Sequence, residues 1–435
     1  MKNRKTIAHQ RVWSIAFPML LVGISTPLLG IVDTAVVGHL SEPYFLGAIA
    51  IGAMIFNFLF WGLGFLRMGT TGLTARAIGE VNKTELNLIL YRGLFLASGL
   101  GVLLIVFQGA LSSLVFSLID SSDEVLFYTK AYFDIRIWAA PATLGSYVLL
   151  GWFLGQGKPR WNLILVVTVN VLNIILDVIF VVWLDLNAAG VAWATLIAEY
   201  TGLLAGLVIA TRLIQRKTAH SSLAAILEPI ELKKYLVVNL NVFIRTILLL
   251  MSFALFTWQG AKYGELVLAA NAILMNLQTL MAYVLDSIAH AAEVLVGKYY
   301  HAKQKYKLKC VLIASAQWSA FVAIFFSALY WLFGSLLFDM LTGIQDVKLL
   351  ALQYLPWLIL SPLVSVWSYW LDGLYIGANL MQQMRNTMLI SFLVFLTAWQ
   401  SLLSFENHGL WAALTIFMAA RAITMGLVAR KYFVF

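Results

Sequence analysis

The chain has 435 residues, of which 62% are hydrophobic and only 11% are charged, and its formal net charge is +9. A soluble domain carries about 25% charged residues, so this chain lacks the polar side chains that would cover a water-exposed surface. These values exclude a soluble enzyme, a nucleic-acid binder and a disordered scaffold. They predict a polytopic all-α membrane protein whose positive charge lies in its cytoplasmic loops.

Apolar runs of about 20 residues, the length that crosses the hydrocarbon core of a bilayer, recur along the chain. The first follows a short basic stretch that could open a signal peptide, but it is too long for one and contains two prolines. We therefore interpret it as a transmembrane helix. Spans 1 to 12 are predicted at 12–38, 43–68, 88–116, 125–155, 161–184, 188–214, 235–262, 265–297, 309–337, 349–377, 386–404 and 409–429.

The distribution of basic residues predicts the orientation. With the N-terminus inside, 22 of the 29 Lys and Arg residues fall in inner segments, and the outer loops hold only Lys262 and Lys348. Cytoplasmic loops collect Lys and Arg, so we expect a multi-pass protein of the inner (plasma) membrane with both termini cytoplasmic. The lysine run at 298–309 is interpreted as a topology signal, with contact to anionic lipid as the alternative.

The two halves of the chain resemble each other. The motif Ser-Tyr-x-Leu-x-Gly-x-x-x-Gly begins at Ser146 in span 4 and at Ser368 in span 10, an offset of 222 residues. Six spans per half give both halves the same orientation, a parallel repeat typical of alternating-access carriers, although a duplication kept for packing is the alternative. The glycine pairs are interpreted as packing positions. We predict an N-lobe at 1–215, a cytoplasmic linker at 216–234 and a C-lobe at 235–435.

Polar residues inside spans are candidates for function because a charge at mid-bilayer costs about 2.5–3.5 kcal/mol on insertion scales. In the N-terminal half, Asp33, Asp177 and Thr195 all fall roughly 8–11 Å below the outer ends of their spans, at 1.5 Å per residue. Asn170, Asn173 and Asp177 are spaced i, i+3 and i+7, and therefore form one polar stripe on span 5.

Two carboxylates at one level predict a cation-coupling site. Asp33 and Asp177 cannot both stay ionised cheaply in a low-dielectric site, so the pair can take up H⁺ or bind Na⁺ with Asn and Thr oxygens as co-ligands. Either event changes the local charge and can bias a two-state transition. A hydrogen-bonded network that only fixes helix packing is the alternative, most of all for Asn170, Thr195 and Glu199, which lies one turn deeper than Thr195 on the same face.

Two prolines in span 1 are candidate bending points. Pro27 lies six residues before Asp33, and a proline inside a helix removes a backbone hydrogen bond and produces a kink. Pro18 lies in the same span, closer to the N-terminus. We predict that Pro18 or Pro27 lets the helix bend when the acid changes charge, although prolines also occur in membrane helices that have no switch.

A second polar cluster is predicted in the C-terminal half, in the middle to inner part of the spans. It consists of Arg245 in span 7, Asp286 and Glu293 in span 8, and Asp372 in span 10. One arginine cannot neutralise three acids, so the count implies protonation or a bound cation. The alternative is a salt-bridge network that holds the three spans together.

The chain is rich in rings and thioethers, with 27 Phe, 17 Tyr, 15 Trp and 13 Met residues. Inside a pocket that also holds an acid, aromatic faces and flexible methionines suit large lipophilic cations. We therefore expect small amphipathic organic compounds and membrane lipids as partners, and no nucleic acid.

Several of these segments resemble the multidrug and toxic compound extrusion (MATE) family. The sequence PLLGIVDTAVVGHL at 27–40 resembles the signature of the family's first helix. GWFLGQGKPR at 151–160, the polar stripe of span 5 and GVAWAT at 190–195 are similar to its spans 4 to 6. RMGTTGLT at 67–74 and LDGLYIGA at 371–378 resemble its DinF (DNA-damage-inducible) branch in particular.

The resemblance implies a bacterial, twelve-helix, two-lobe, V-shaped exporter that expels organic cations in exchange for H⁺ or Na⁺ and needs no cofactor. The positions that match the family's coupling site are Asp33, Asn173, Asp177 and Thr195, and the likeness to the DinF branch favours H⁺. One departure is the turn at 184–190, where many members carry a glycine-rich connection.

We therefore predict a secondary active antiporter that acts as a monomer and exports amphipathic, mainly cationic compounds by alternating access. The alternative is a flippase for lipid-linked intermediates, as found in the wider superfamily. Such a flippase should present several arginines to its anionic substrate, and Arg245 is the one good candidate in the sequence. No catalytic triad, metal-ligand cluster or pore-loop motif supports an enzyme or a channel.

Overall fold

The computed structural model describes residues 2–37, 42–119, 121–214 and 223–433, and every regular element in these ranges is helical. Eight long helices are α1 (Lys2–Val37), α6 (Asn187–Leu213), α7 (Pro229–Ala261), α8 (Glu265–His301), α9 (Lys305–Leu341), α10 (Gln345–Gly377), α11 (Met381–Ser401) and α12 (Glu406–Phe433). Four are built from successive pieces: α2 (Pro43–Leu63, Phe65–Gly79), α3 (Lys83–Val106, Gln108–Phe116), α4 (Asp123–Arg136, Ile137–Ala139, Ala140–Gly155) and α5 (Pro159–Asp177, Val178–Trp183).

Within the described residues, eleven of these elements are long and apolar enough to cross a membrane. The exception is α11, whose first turns carry Gln382, Gln383, Arg385 and Asn386 and are therefore more polar than a typical span. The helices follow one another in the predicted order. The all-α, twelve-helix fold predicted from the sequence is confirmed.

The helices form two compact units. The first unit comprises Leu21–Asn239, and the second comprises Met1–Leu20 together with Leu240–Phe435. The boundaries between the units therefore fall within α1 and α7.

The beginning of α1 packs on α8 and α9 in the second unit. The indole ring of Trp318 in α9 makes edge contacts with the rings of His9 and Trp13. The guanidinium of Arg11 donates a hydrogen bond to the hydroxyl of Tyr299 in α8. These aromatic and polar contacts explain why the first residues of the chain group with a unit whose other members lie more than 200 positions further along.

Part of the predicted linker is anchored to the first unit. Residues 215–222 lie outside the described ranges, and the chain continues with the helical turn Leu223–Ile226. Arg92 in α3 donates to the carbonyl oxygens of Ala225 and Ile226 over 3.0 and 3.4 Å and pairs with Glu85 over 3.1 Å. Carbonyls that end a helix lack intrahelical donors, so the guanidinium caps this turn.

The repeated glycine motif marks a close helix contact in each unit. A Cβ added at Gly151 in α4 would lie 2.5 Å from the carbonyl oxygen of Arg67 in α2. A Cβ added at Gly377 in α10, the last glycine of the second copy of the motif, would lie 2.3 Å from the carbonyl oxygen of Glu293 in α8. Both motifs thus bring two helix backbones together, as predicted for packing glycines.

The contact between α2 and α4 also explains why α2 reaches Gly79, beyond the predicted end of span 2 at residue 68. The additional part is rich in small polar residues, and Thr70, Thr71 and Thr74 are buried. Their hydroxyl groups lower the hydropathy of the segment, but the neighbouring helix covers them. An apolarity criterion therefore ends the span too early.

Gly377→Ala is expected to destabilise the protein by about 1–3 kcal/mol, the usual cost of overpacking. The new Cβ would clash with a backbone carbonyl, which cannot rotate away as a side chain can. Thermal unfolding followed by size-exclusion chromatography measures the change. The matched control is Gly426→Ala in α12, where a Cβ meets nothing within 4 Å. Equal melting temperatures for the two variants would contradict the packing role.

Candidate functional site

Three of the predicted coupling residues meet inside the first unit. Asn173 and Asp177 lie one turn apart on α5, and their side chains are 1% and 0% exposed. Thr195 on α6 is half-buried and faces them, with 3.3 Å between its Oγ1 and the side-chain amide of Asn173. The spacing predicted from the sequence thus produces a continuous polar contact between two helices.

The surrounding donors and acceptors fix the orientation of the Asn173 amide. Its nitrogen donates to Oδ2 of Asp177 over 3.2 Å, and its oxygen accepts from the backbone N–H of Thr195 over 3.2 Å and lies 3.3 Å from Oγ1 of the same residue. The opposite orientation would point the amide oxygen at a carboxylate oxygen and the amide nitrogen at a backbone N–H.

This orientation suits an ionised Asp177, because a carboxylate only accepts hydrogen bonds and therefore requires the amide nitrogen of Asn173. A hydrogen-bonded chain thus runs from Asp177 through Asn173 to Thr195 and joins α5 to α6.

The polar stripe of α5 also contacts α1. The side chain of Asn170 donates to the carbonyl oxygen of Ser25 over 3.3 Å, two residues before Pro27. The side chains of Asp33 and Pro27 lie outside the described residues. The backbone of α1 is helical through both Pro18 and Pro27, and Pro18 is buried in the second unit.

The helix that carries this site changes its geometry immediately after the acid. α5 is an α-helix up to Asp177 and a π-helix from Val178 to Trp183. The wider turn is closed by an i to i+5 hydrogen bond from Leu184 to the carbonyl oxygen of Ile179, over 3.0 Å. π-Helical turns inside α-helices are frequent at functional sites because they leave backbone groups and side chains in irregular positions.

Glu199 pairs with Arg136 rather than with the residues around Thr195 that its position on α6 predicts. Its Oε1 accepts a hydrogen bond from Nη2 of Arg136 in α4 over 3.3 Å. The guanidinium carbon of Arg136 also lies 5.5 and 5.3 Å from the ring centroids of Phe56 and Phe60 in α2. A guanidinium can combine an ion pair with cation–π contacts, so Arg136 joins α2, α4 and α6.

The second unit contains a buried cluster around Asp372. Its Oδ2 accepts hydrogen bonds from Arg245 in α7 and from Nη2 of Arg421 in α12, the latter over 2.8 Å. Arg421 is 1% exposed, and its guanidinium also contacts Sδ of Met418 over 3.3 Å. One carboxylate thus connects α7, α10 and α12 and compensates charge on both arginines.

The other predicted members of this cluster lie on α8. Asp286 is half-buried and interacts electrostatically with Arg421 and with Tyr369. Glu293 is 2% exposed and lies 3.2 Å from Nδ1 of His290, one turn earlier on the same helix. Asp286 therefore belongs to the electrostatic surroundings of Asp372, whereas Glu293 pairs within α8.

Arg421 is the residue that the sequence reasoning overlooked. It lies within predicted span 12, flanked by alanines and methionines, and a charge inside a span is a functional candidate by default. The same criterion that selected Arg245 would have selected it. Because Glu293 pairs with His290, two arginines face two acids, Asp286 and Asp372, and the surplus of acid counted from the sequence disappears.

A family comparison matches most of the chain. The family described as MatE covers residues 18–179 and 242–398. These two stretches include Asn173 and Asp177 but not Thr195. They also include Arg245 and Asp372 but not Arg421.

Individual proteins are similar over nearly the full length. "DNA damage-inducible protein F" of Escherichia coli is 39% identical over 98% of this chain and 93% of its own. "Probable multidrug resistance protein NorM" of Oceanobacillus iheyensis is 22% identical over 97% of this chain and 95% of its own. A solved structure of a multidrug resistance MATE family transporter, in an outward-facing conformation, has the same fold. Its TM-score is 0.86 at 18% identity, over 98% of this chain and 95% of that chain.

Proposed function

Because the chain belongs to the MatE family of membrane transporters, which are not enzymes, we propose that it is an antiporter that exports amphipathic, mainly cationic organic compounds in exchange for H⁺. Relatives named for multidrug resistance and multidrug export support export as the direction of transport. The observation that carries the proposal is the fully buried carboxylate of Asp177 in a membrane-spanning helix, which accepts a hydrogen bond from Asn173, because a buried acid changes the charge of its site when it gains or loses a proton.

In the proposed cycle, Asp33 and Asp177 exchange a cationic substrate for protons. Protonation removes buried charge, and α1 then bends at Pro27 or Pro18 as the transporter alternates between its two states. Sodium bound between the same two carboxylates is the variant of this proposal in which Na⁺ is the coupling ion. No cofactor takes part.

We further propose that residues 1–215 and 235–435 act as two lobes joined by the linker at 216–234. The protein is proposed to work as a monomer in the inner membrane with both termini in the cytoplasm. The excess of basic residues in the inner segments supports this orientation.

A flippase for anionic lipid-linked compounds is the second candidate, and the buried Arg421 bears on it. Several arginines would bind such a substrate, and the second unit holds two. Both donate to Asp372, however, and Asp286 interacts with one of them. The positive charge is therefore compensated within the protein, and cation export is the better supported function.

The proposal predicts uptake of ethidium by inside-out vesicles that contain the protein, in sodium-free buffer, when an acid-inside proton gradient is imposed. Protein-free vesicles are the control, and Asp33→Asn is expected to reduce uptake to their level because asparagine cannot bind and release the proton. Uptake that starts only with a sodium gradient would assign the carboxylates to Na⁺. Absence of uptake under both gradients, or a wild-type rate for Asp33→Asn, would contradict the proposed mechanism.

A further inference from the structure

A cleft of about 570 Å³ lies between α4 and α6 of the first unit. Its walls carry the rings of Trp138, Trp193 and Tyr200. Trp138 and Trp193 are 51% and 45% exposed, so the cleft opens on the surface of the unit and is separate from the buried contact at Asp177. Drug-sized molecules occupy pockets of about 300–1,000 Å³, and this volume falls within that range.

One carboxylate gives the cleft its charge. Asp134 is exposed and is the single ionisable acid or base, apart from the tyrosine phenol, among the described residues that line it. No described side chain forms an ion pair or hydrogen bond with Asp134. Arg136 and Glu199, on the same two helices, pair with each other on the buried side. A carboxylate on a membrane span without a protein counter-ion is costly, and a bound cation would offset that cost.

The aromatic walls are held in place. The hydroxyl of Tyr200 in α6 donates to the backbone carbonyl oxygen of Trp138 in α4 over 3.0 Å, which holds the Tyr200 ring against α4. Behind them, the Arg136–Glu199 ion pair joins the same two helices. A preorganised set of ring faces next to a carboxylate is the arrangement that recognises organic cations.

The remaining lining residues extend the cleft with aliphatic groups. Leu196 and Ile197 lie between Trp193 and Tyr200 on α6, and Leu204 extends the lining one turn beyond Tyr200 and is 61% exposed. A ligand that fits therefore has a charged part near Asp134 and a bulky apolar part along α6. We propose that this cleft is a binding site for amphipathic organic cations that partition into the membrane, distinct from the proposed coupling site.

A zwitterionic phospholipid fits less well. Its phosphate lies directly beside its ammonium group, and the lining offers no cationic side chain to pair with the phosphate. Lys130 lies one turn before Asp134 on α4 and is exposed, but it is not part of the lining and forms no ion pair with Asp134 among the described contacts. A net cation neutralises Asp134, whereas a zwitterion adds no net charge.

The test uses the full-length protein in lipid nanodiscs and an aryl-azide derivative of tetraphenylphosphonium as the probe. After photolysis, mass spectrometry of peptides from α4 and α6 gives the fraction labelled at the cleft. The wild type is expected to show saturable labelling around Trp138 and Trp193 that competes with unlabelled tetraphenylphosphonium. Asp134→Asn is expected to weaken it about tenfold, since the variant removes the charge attraction to the cation while the aromatic rings remain.

Two matched variants distinguish binding in the cleft from nonspecific electrostatic attraction of the probe. Asp123→Asn, at the exposed start of α4, and Lys130→Gln are both expected to leave labelling at the cleft unchanged or slightly increased. Weaker labelling in Asp123→Asn would indicate nonspecific attraction and overturn the proposal. Weaker labelling in Lys130→Gln would contradict a site that attracts cations and would also overturn the proposal.

The outcome does not depend on antiport, because labelling is measured without a gradient and is expected to persist in Asp177→Asn. If Asp134→Asn does not give a monodisperse protein, Trp193→Leu replaces it, since leucine keeps an apolar wall but removes the ring face. That variant is expected to lose labelling several-fold. Unchanged labelling in whichever variant folds, or equal labelling by a neutral aryl azide of the same size, would exclude a cation site.

Discussion

Asp372→Ala is expected to lower the stability of the second unit by about 3–5 kcal/mol, the usual cost of removing one partner of a buried ion pair. The side chain accepts hydrogen bonds from both Arg245 and Arg421. Without it, two guanidinium groups remain in a buried site, and Arg421 is only 1% exposed. In a thermal unfolding experiment the midpoint should fall by roughly 5–15 °C.

Two variants give this prediction its control and its internal check. Asp346→Ala removes an exposed acid from the first turn of the same helix and should leave the melting temperature unchanged. Combining Asp372→Ala with Arg421→Met should recover part of the loss, because an apolar side chain of similar length tolerates burial without a counter-ion. A melting temperature for Asp372→Ala that matches that of Asp346→Ala would show that the cluster contributes little to stability.

The first cluster could be predicted from the sequence because its members are related by simple geometry. Asn173 and Asp177 lie on one face of a helix by their spacing alone, and the depth of Thr195 follows from the length of its span. The contact between α5 and α6 joins helices that are adjacent in the chain, so few arrangements compete. These are the conditions under which periodicity and depth predict a real contact.

The partner of Glu199 could not be predicted from the same geometry. Glu199 lies one turn from Thr195, and a shared helix face suggested a shared network. A four-residue step rotates the side chain slightly past one full turn, and the long guanidinium of Arg136 in α4 reaches it instead. Which of two neighbours a charged side chain selects depends on helix packing, and a single sequence does not contain that information.

The cluster around Asp372 was only half predicted for a related reason. Its arginines lie 127 and 49 residues away along the chain, and the packing of α7, α10 and α12 brings them together. The depth criterion identified the acid and Arg245 as buried in spans. It could not show that one carboxylate serves two arginines, which changes the charge balance of the site.

Asp177→Asn is expected to reduce proton-driven export of ethidium at least tenfold, to the level of protein-free vesicles. Asparagine has nearly the same shape as aspartate, so the buried position, 0% exposed in the wild type, can still be filled. It has no exchangeable charge, however, and its own amide offers both a donor and an acceptor to Asn173. The site therefore stays neutral whatever the pH. Asp185→Asn, in the turn after α5, is the matched control, because asparagine tolerates the positive φ of 50° found there.

A comparison of gradient-driven accumulation with gradient-free exchange distinguishes proton coupling from translocation of the substrate. If Asp177 acts only as the proton carrier, Asp177→Asn should abolish ethidium accumulation driven by a gradient but retain exchange of labelled for unlabelled ethidium without one. Thr195→Val removes the hydroxyl while keeping the side-chain volume, and it should cause a smaller loss because the carboxyl group can still titrate. A variant Asp177→Asn that accumulates ethidium at the wild-type rate would show that the proton binds elsewhere. Loss of both activities with unchanged thermal stability would instead place Asp177 in the path of the substrate.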